Sequence, residues 1–287
     1  MLWGSGTITI GGETKIKITL TGQKEIWPYL PPQSDGKSRG ADRPGYNPYT
    51  SLKIKINNGE QPVPNKTVTI TIKRIEGTGG HDHLNPLSLD KSGQLFIGNK
   101  KGNPINATTD SNGEVVVDKL LSSQVSGIYI IEAALESKPE IKDTTSLIVK
   151  VTGLLDFGII LSKEWYLTGS LPQHLLNHFC DQEMGLKLAS AIMDFYEWNI
   201  EYSKLLNKTP IKLLINDMSL IWGGAFDIPG QWGLYSNHSF HRIGLSVDIN
   251  RTGMSNEELF TLTSFMKKQN GSKYPESTIH YGFLGGN

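Results

Sequence analysis

Thr67-Val-Thr-Ile-Thr-Ile72 puts a branched apolar side chain on every second position, and this alternation decides the fold of the first half of the chain. A period of two matches the pleat of a β-strand, so one face of the segment is buried and the other is wet. The pattern recurs on both sides. Thr14-Lys-Ile-Lys-Ile-Thr-Leu20, Ser51-Leu-Lys-Ile-Lys-Ile56, Val115-Val-Val117, Gly127-Ile-Tyr-Ile-Ile-Glu-Ala133 and Ser146-Leu-Ile-Val-Lys-Val151 all read as strands. Turn clusters such as Asn57-Asn-Gly59 and Asp110-Ser-Asn-Gly113 separate them, with no amphipathic helix between. About seven strands at this spacing predict an all-β sandwich. Two long stretches, 27–49 and 77–104, interrupt the pattern and read as loops, a length that goes with a job or with disorder.

The whole chain has 287 residues, which favours two domains. Its 28 basic and 28 acidic side chains cancel to zero, so nucleic acid and anionic membrane surfaces are not expected partners. With 37% hydrophobic and 20% charged residues there is enough apolar material for buried cores. The single cysteine, Cys180, excludes an intrachain disulfide and is expected to serve in helix packing. No apolar run is long enough for a transmembrane helix. The opening Met-Leu-Trp-Gly-Ser-Gly has neither the basic stretch nor the apolar core of a secretory leader.

Thr108-Thr-Asp-Ser-Asn-Gly-Glu-Val115, followed by Ser126-Gly-Ile-Tyr-Ile130, resembles the turn chemistry of bacterial immunoglobulin-like domains. The resemblance implies an immunoglobulin-like sandwich over residues 1–152, of the kind that decorates exported proteins.

After Gly153 the period changes. Met184, Leu186, Leu188, Ile192, Phe195, Tyr196, Ile200 and Leu205 recur at helical spacing, which predicts a long helix from Asp181 to about Leu206 with one apolar face. A short strand, Ile211-Lys-Leu-Leu-Ile215, and a glycine-rich stretch, 216–227, follow. A second helix is expected from Ser255, which has capping-box spacing to Glu258, to about Gln269. The last strand is Thr278-Ile-His-Tyr-Gly-Phe283. Residues 153–287 therefore read as an α+β domain with a small antiparallel sheet.

The chemistry concentrates in Ser239-Phe-His-Arg-Ile-Gly-Leu-Ser-Val-Asp-Ile-Asn250. On a regular strand His241 and Asp248, seven apart, would point to opposite faces; Gly244 lets the backbone turn, so His241 can approach from a loop. Val247 and Ile249 then face the core, with Ser246 and Asp248 facing the site. The same parity on the last strand turns Ile279, Tyr281 and Phe283 inward and Thr278, His280 and Gly282 outward. If the two strands are neighbours, His241, Asp248 and His280 give two imidazoles and a carboxylate, a set that suits a catalytic zinc with one open position.

Ser239-x-His241-x-x-Gly244-x-Ser246-x-Asp248 resembles the signature of the D-alanyl-D-alanine carboxypeptidase and dipeptidase family of zinc peptidases, related to lysostaphin-type peptidases and the hedgehog signalling domain. Serine at 246 replaces the usual alanine. The resemblance covers about residues 159–287 and implies Zn2+ held by His241, Asp248 and His280, with a glutamate just before the last histidine as base. The nearest carboxylate, Glu276, stands four residues before His280, where the family usually has three. The family's substrate-clamping arginine has no clear counterpart; Arg242 and Arg251 are the nearby arginines. The implied activity is amide hydrolysis by zinc-activated water, with a cell-wall (peptidoglycan) peptide as substrate. His238, or an amide of Trp222-Gly-Gly224, is the candidate donor to the oxyanion. Asp217 and Asp227 are reserve candidates for the base or for orienting a ligand imidazole.

Other residues invite chemistry. His174 and His178 have i, i+4 spacing, His81-Asp82-His83 has the i, i+2 spacing of an extended chelate, and Trp27, Tyr29 and Tyr46 offer a stacking surface for a glycan or peptide. Each also has a structural reading: helix-start polarity, a glycine-flanked polar loop, and aromatics covering a sandwich edge. The expectation is a bacterial envelope or extracellular zinc peptidase whose leader was removed, with a cytoplasmic location as the alternative. The competing function is a cell-envelope binding protein that keeps its metal without hydrolysing, and a third is adhesion led by the sandwich.

Overall fold

The computed structural model describes residues 13–32, 36, 38, 40–80, 93–160, 162–172, 174–226, 240–273 and 279–283. The chain is mostly β, with two α-helices among the described residues. No helix among them is long and apolar enough to cross a membrane.

The first half carries strands β1 (Thr14–Leu20), β2 (Glu25–Ile26), β3 (Tyr49–Asn58), β4 (Gln61–Pro62), β5 (Thr67–Arg74), β6 (Gln94–Ile97), β7 (Lys100–Gly102), β8 (Ile105–Thr108), β9 (Glu114–Leu121), β10 (Gly127–Leu135) and β11 (Lys138–Val149). One sheet runs β1-β3-β9-β6-β7 with β4 on β3, and the other β2-β11-β10-β5-β8. Alternation along β5 and β10 puts Val68, Ile70, Ile72, Tyr129, Ile131 and Ala133 on the buried face, where they meet Leu52, Ile54, Ile56, Val115 and Val117 from the other sheet. The Asp110 turn closes as its sequence predicts: its carboxylate accepts the amides of Asn112 (2.8 Å) and Glu114 (2.9 Å), and Gly113 takes φ 69°.

Both expected loops are partly structured. The stretch 77–104 contains the β6–β7 hairpin, whose short strands lack a long alternating run. The stretch 27–49 folds onto the other half. Trp27 and Leu30 are buried within the C-terminal core, Trp27 packs edge-on against Tyr46 at 5.8 Å, and its indole donates to Thr152 (3.2 Å). At 3% exposure Trp27 is a core residue, so the aromatic trio is not an open stacking platform.

The second half carries β12 (Leu154–Asp156), β13 (Trp165–Leu167), β14 (Phe179–Asp181), helix α1 (Gln182–Leu205), β15 (Leu213–Asp217), β16 (Ser246–Asn250), helix α2 (Asn256–Lys268), β17 (Gly271–Lys273) and β18 (Ile279–Phe283). Asp181 caps α1 by accepting the amides of Glu183 and Met184, and the Ser255–Glu258 capping box opens α2. The sheet order is β13-β15-β16-β18-β17. The expected antiparallel sheet is in fact mixed, because β13 pairs with β15 in parallel. The chain between them includes α1, and a parallel pair needs such a long crossover. Leu213, Ile215, Val247, Ile249, Ile279 and Tyr281 lie in one core with Leu188, Ile192 and Phe195 of α1 and Leu262 and Met266 of α2. Cys180 lies on β14 with its thiol against Gly185 of α1, and burial pushes it up to about 12.

Candidate metal centre

Three neighbouring strands place the acidic and imidazole groups. Asp217 on β15 is opposite Asp248 on β16, and Asp248 is opposite His280 on β18. Asp248 and His280 share the sheet face away from the helices, since the alternating Val247, Ile249 and Tyr281 belong to the core; Asp217, which has the parity of the core residues Leu213 and Ile215, comes opposite Asp248 through a register shift between Ile215 and Asp217. His241 enters from a 3-10 turn, His241–Ile243, that ends at Gly244 with φ 70°. A Cβ on Gly244 would come within 2.8 Å of the Asp181 amide and 2.5 Å of Leu154, so the turn is tight as well as left-handed.

His241, Asp248 and His280 each offer one ligand atom, and these atoms lie within 4.8 Å of one another. His241 Nε2 is 3.6 Å from Asp248 Oδ2, and His280 Nδ1 is 4.0 Å from Asp248 Oδ1. Tetrahedral zinc with bonds of about 2.0–2.1 Å spaces its ligand atoms by about 3.4 Å. All three residues are buried, at 0%, 5% and 2% exposure. His241 Nδ1 donates to the carbonyl of Met218, which leaves Nε2 as the ring nitrogen that faces the carboxylate. Burial opposes charge on His241, but Asp248 and the Met218 carbonyl outweigh it and the imidazole titrates above its ordinary value. The donor chemistry and the buried setting fit a zinc ion.

Asn177 donates to Asp217 (2.6 Å) and Asn216 donates to its other oxygen. Burial pushes this carboxyl up to about 6; the Asp248 charge adds to the rise and His241 opposes it. Phe226 stacks on His241 at 4.9 Å between centroids, and the two histidine rings are also 4.9 Å apart. Neither Asn177 nor Phe226 carries a sequence signal, because each reaches the site through the fold rather than through motif spacing.

Other sequence candidates are placed elsewhere. His178 turns its Nε2 to the carbonyls of Thr168 (2.8 Å) and Ile215 (3.3 Å), and burial lowers its pKa. Neither it nor the buried His174 is on a helix, so their i, i+4 spacing builds no chelate. The amides of Gly223 and Gly224 donate to the carbonyls of Leu220 (2.9 Å) and Arg242 (2.8 Å), so these two are committed and not available to an oxyanion. Arg242 is directed at Gln124 and Arg251 is exposed. Glu276, His238, Asp227 and His81-Asp82-His83 lie outside the described residues.

No family model and no curated protein matches the chain. Among solved structures it is similar to the Yersinia pseudotuberculosis adhesin InvE, at 15% identity and TM-score 0.32, over 50% of this chain and 34% of that one. The chain thus spans about a third of that adhesin's length. It is also similar to the human F-spondin reeler domain (16% identity, TM-score 0.22, 49% of this chain and 92% of that one). A PapD-like domain of human CEP192 is similar at 13% identity and TM-score 0.20, over 52% of this chain and 90% of that one.

Proposed function

We propose that this chain is a zinc-dependent peptidase of the D-alanyl-D-alanine carboxypeptidase type, carried behind an immunoglobulin-like sandwich, and that it hydrolyses an amide bond in peptidoglycan peptides at the bacterial envelope or outside the cell. The observation that supports it is the convergence of His241, Asp248 and His280 as buried ligand donors on one face of the sheet. A zinc bound there would supply Lewis acidity and an activated water.

The side chains have separate tasks. The Met218 carbonyl fixes the His241 tautomer, and the β16–β18 register fixes Asp248 against His280. By resemblance, Glu276 takes the proton from the attacking water; His238, three residues before His241, is the candidate donor to the developing oxyanion. Asp217, tied by two asparagine amides, lines the site beside Asp248.

The test is metal analysis of protein purified without chelators, alongside turnover of peptidoglycan fragments. Wild type should carry stoichiometric zinc and His241→Ala should lose it. Glu276→Gln should keep zinc and lose about 10²- to 10⁴-fold in rate. Zinc-loaded wild type without turnover would favour the non-hydrolytic binding protein, and zinc-free wild type overturns the metal reading.

A further inference from the structure

The turn that carries His241 is held in part by the other half of the molecule. Arg43, from the stretch between β2 and β3, donates through Nη1 to the carbonyl of Ile243 (3.1 Å) and pairs through Nη2 with the Asp181 carboxylate. The Asp181 amide in turn donates to the carbonyl of Gly244 (2.9 Å). One guanidinium thus ties the end of the His241 turn directly and again through the cap of α1.

A second set of contacts meets Arg242. Gln124, between β9 and β10, accepts from Arg242 Nη1 (2.9 Å) through its side chain. Its carbonyl accepts the Ala225 amide (2.7 Å), Val125 bridges Gly224, and the Gly224 amide donates back to the Arg242 carbonyl (2.8 Å). Arg242 is 7% exposed and follows His241 directly in the chain. Within its own half, the turn makes local hydrogen bonds to Phe240 and His241, and the Asp181 and Gly224 amides and the Met218 carbonyl also hold it.

We propose that Arg43 and Gln124 are positioning residues for His241, making the sandwich half a working part of the metal site rather than a tether. This rests on the metal reading proposed above. A ligand imidazole must be held within a few tenths of an ångström to bind zinc well, and groups that orient a ligand typically govern metal affinity by about 10- to 100-fold. Here the orienting groups come from residues 118 or more positions away in the sequence.

The experiment uses the full chain, stripped of metal and titrated with Co2+, whose visible absorption reports ligand geometry. Arg43→Ala and Gln124→Met should each weaken Co2+ binding by about 10-fold or more and alter the band shape. Gln124→Glu keeps an acceptor for Arg242 and should restore both. Trp27→Phe perturbs the contact between the halves without removing either side chain that bonds the turn, and should lower thermal stability while leaving the spectrum as in wild type. Should Arg43→Ala not fold, Arg43→Lys decides: a single ammonium lacks the two-nitrogen fork that meets Asp181 and the Ile243 carbonyl separately, so binding should still weaken. Wild-type affinity and spectrum in the Arg43 and Gln124 variants overturn the inference alone. A spectrum that shifts equally in Trp27→Phe reduces the two residues to general packing and also overturns it. A wild type that binds no Co2+ overturns the site and the inference together.

Discussion

Asp248 and His280 are direct partners across β16 and β18, so two of the three proposed ligands are fixed by a single strand register. Asp248→Ala should therefore remove bound zinc, with a larger loss than the about 10- to 100-fold expected for a residue that only orients a ligand. Asn177→Ala is a useful contrast. It takes one donor from the buried Asp217 and should cost about 1–3 kcal/mol of stability while zinc is retained. Equilibrium dialysis and urea unfolding check the two halves of this expectation.

Gly244 is the hinge that brings His241 round to Asp248. Its φ of 70° and the nearby Asp181 amide both oppose a side chain. Gly244→Ala should destabilise the chain by about 1–3 kcal/mol and weaken zinc binding as the turn shifts. Urea unfolding that matches wild type would show that the turn relaxes freely.

The site was legible in the sequence where geometry follows from period. Parity along 246–249 and 279–283 placed Asp248 and His280 on the face away from the core, and the glycine explained how an odd spacing is reconciled. What the sequence did not disclose came from distant partners: Arg43 and Gln124 lie in stretches without motif or period, and their contacts exist only once the halves meet. The same holds for Trp27, whose composition-rich loop suggested a surface but whose indole finishes a core it is not contiguous with. The parallel β13–β15 pair was hidden because three-residue Trp165–Leu167 carries too few positions to show a period.

Because Trp27 and Leu30 belong to the C-terminal core, the two halves should unfold together. We expect one transition in urea, followed equally by near- and far-ultraviolet circular dichroism. Trp27→Ala should lower stability by about 3–5 kcal/mol. Two separated transitions in wild type would show that the shared core does not couple the halves.

Ser246 stands where the resembled family has alanine, and its hydroxyl is fully buried with no hydrogen-bond partner among the described residues. An unmatched buried hydroxyl costs about 1–3 kcal/mol. Ser246→Ala should keep the metal and raise stability by about 1 kcal/mol. A loss of zinc affinity in this variant would instead assign the hydroxyl a role in holding Asp248.

Glu258 gives the fold an acid-sensitive joint. It is fully buried, accepts from Asn199 (3.0 Å) and Lys208 (2.8 Å) at the end of α1, and closes the capping box of α2 with Ser255. Burial alone would raise its pKa, but the Lys208 ammonium, Ser255 and Asn199 hold it at about 2, below its ordinary 4.5. A carboxylate depressed in the folded state binds fewer protons there than in the unfolded chain, so stability falls as pH falls. The contribution should be complete above about pH 5 and disappear between there and about pH 2, amounting to about 3 kcal/mol. Glu258→Ala should cost about 3–5 kcal/mol near neutrality, since it strands the Lys208 charge and the Asn199 amide, and it should flatten this part of the pH profile. Urea midpoints measured across that range, on metal-free protein so that acid release of metal does not enter the profile, and compared with Glu258→Ala, distinguish the joint from general acid unfolding. An unchanged slope in the variant would place the acid sensitivity elsewhere.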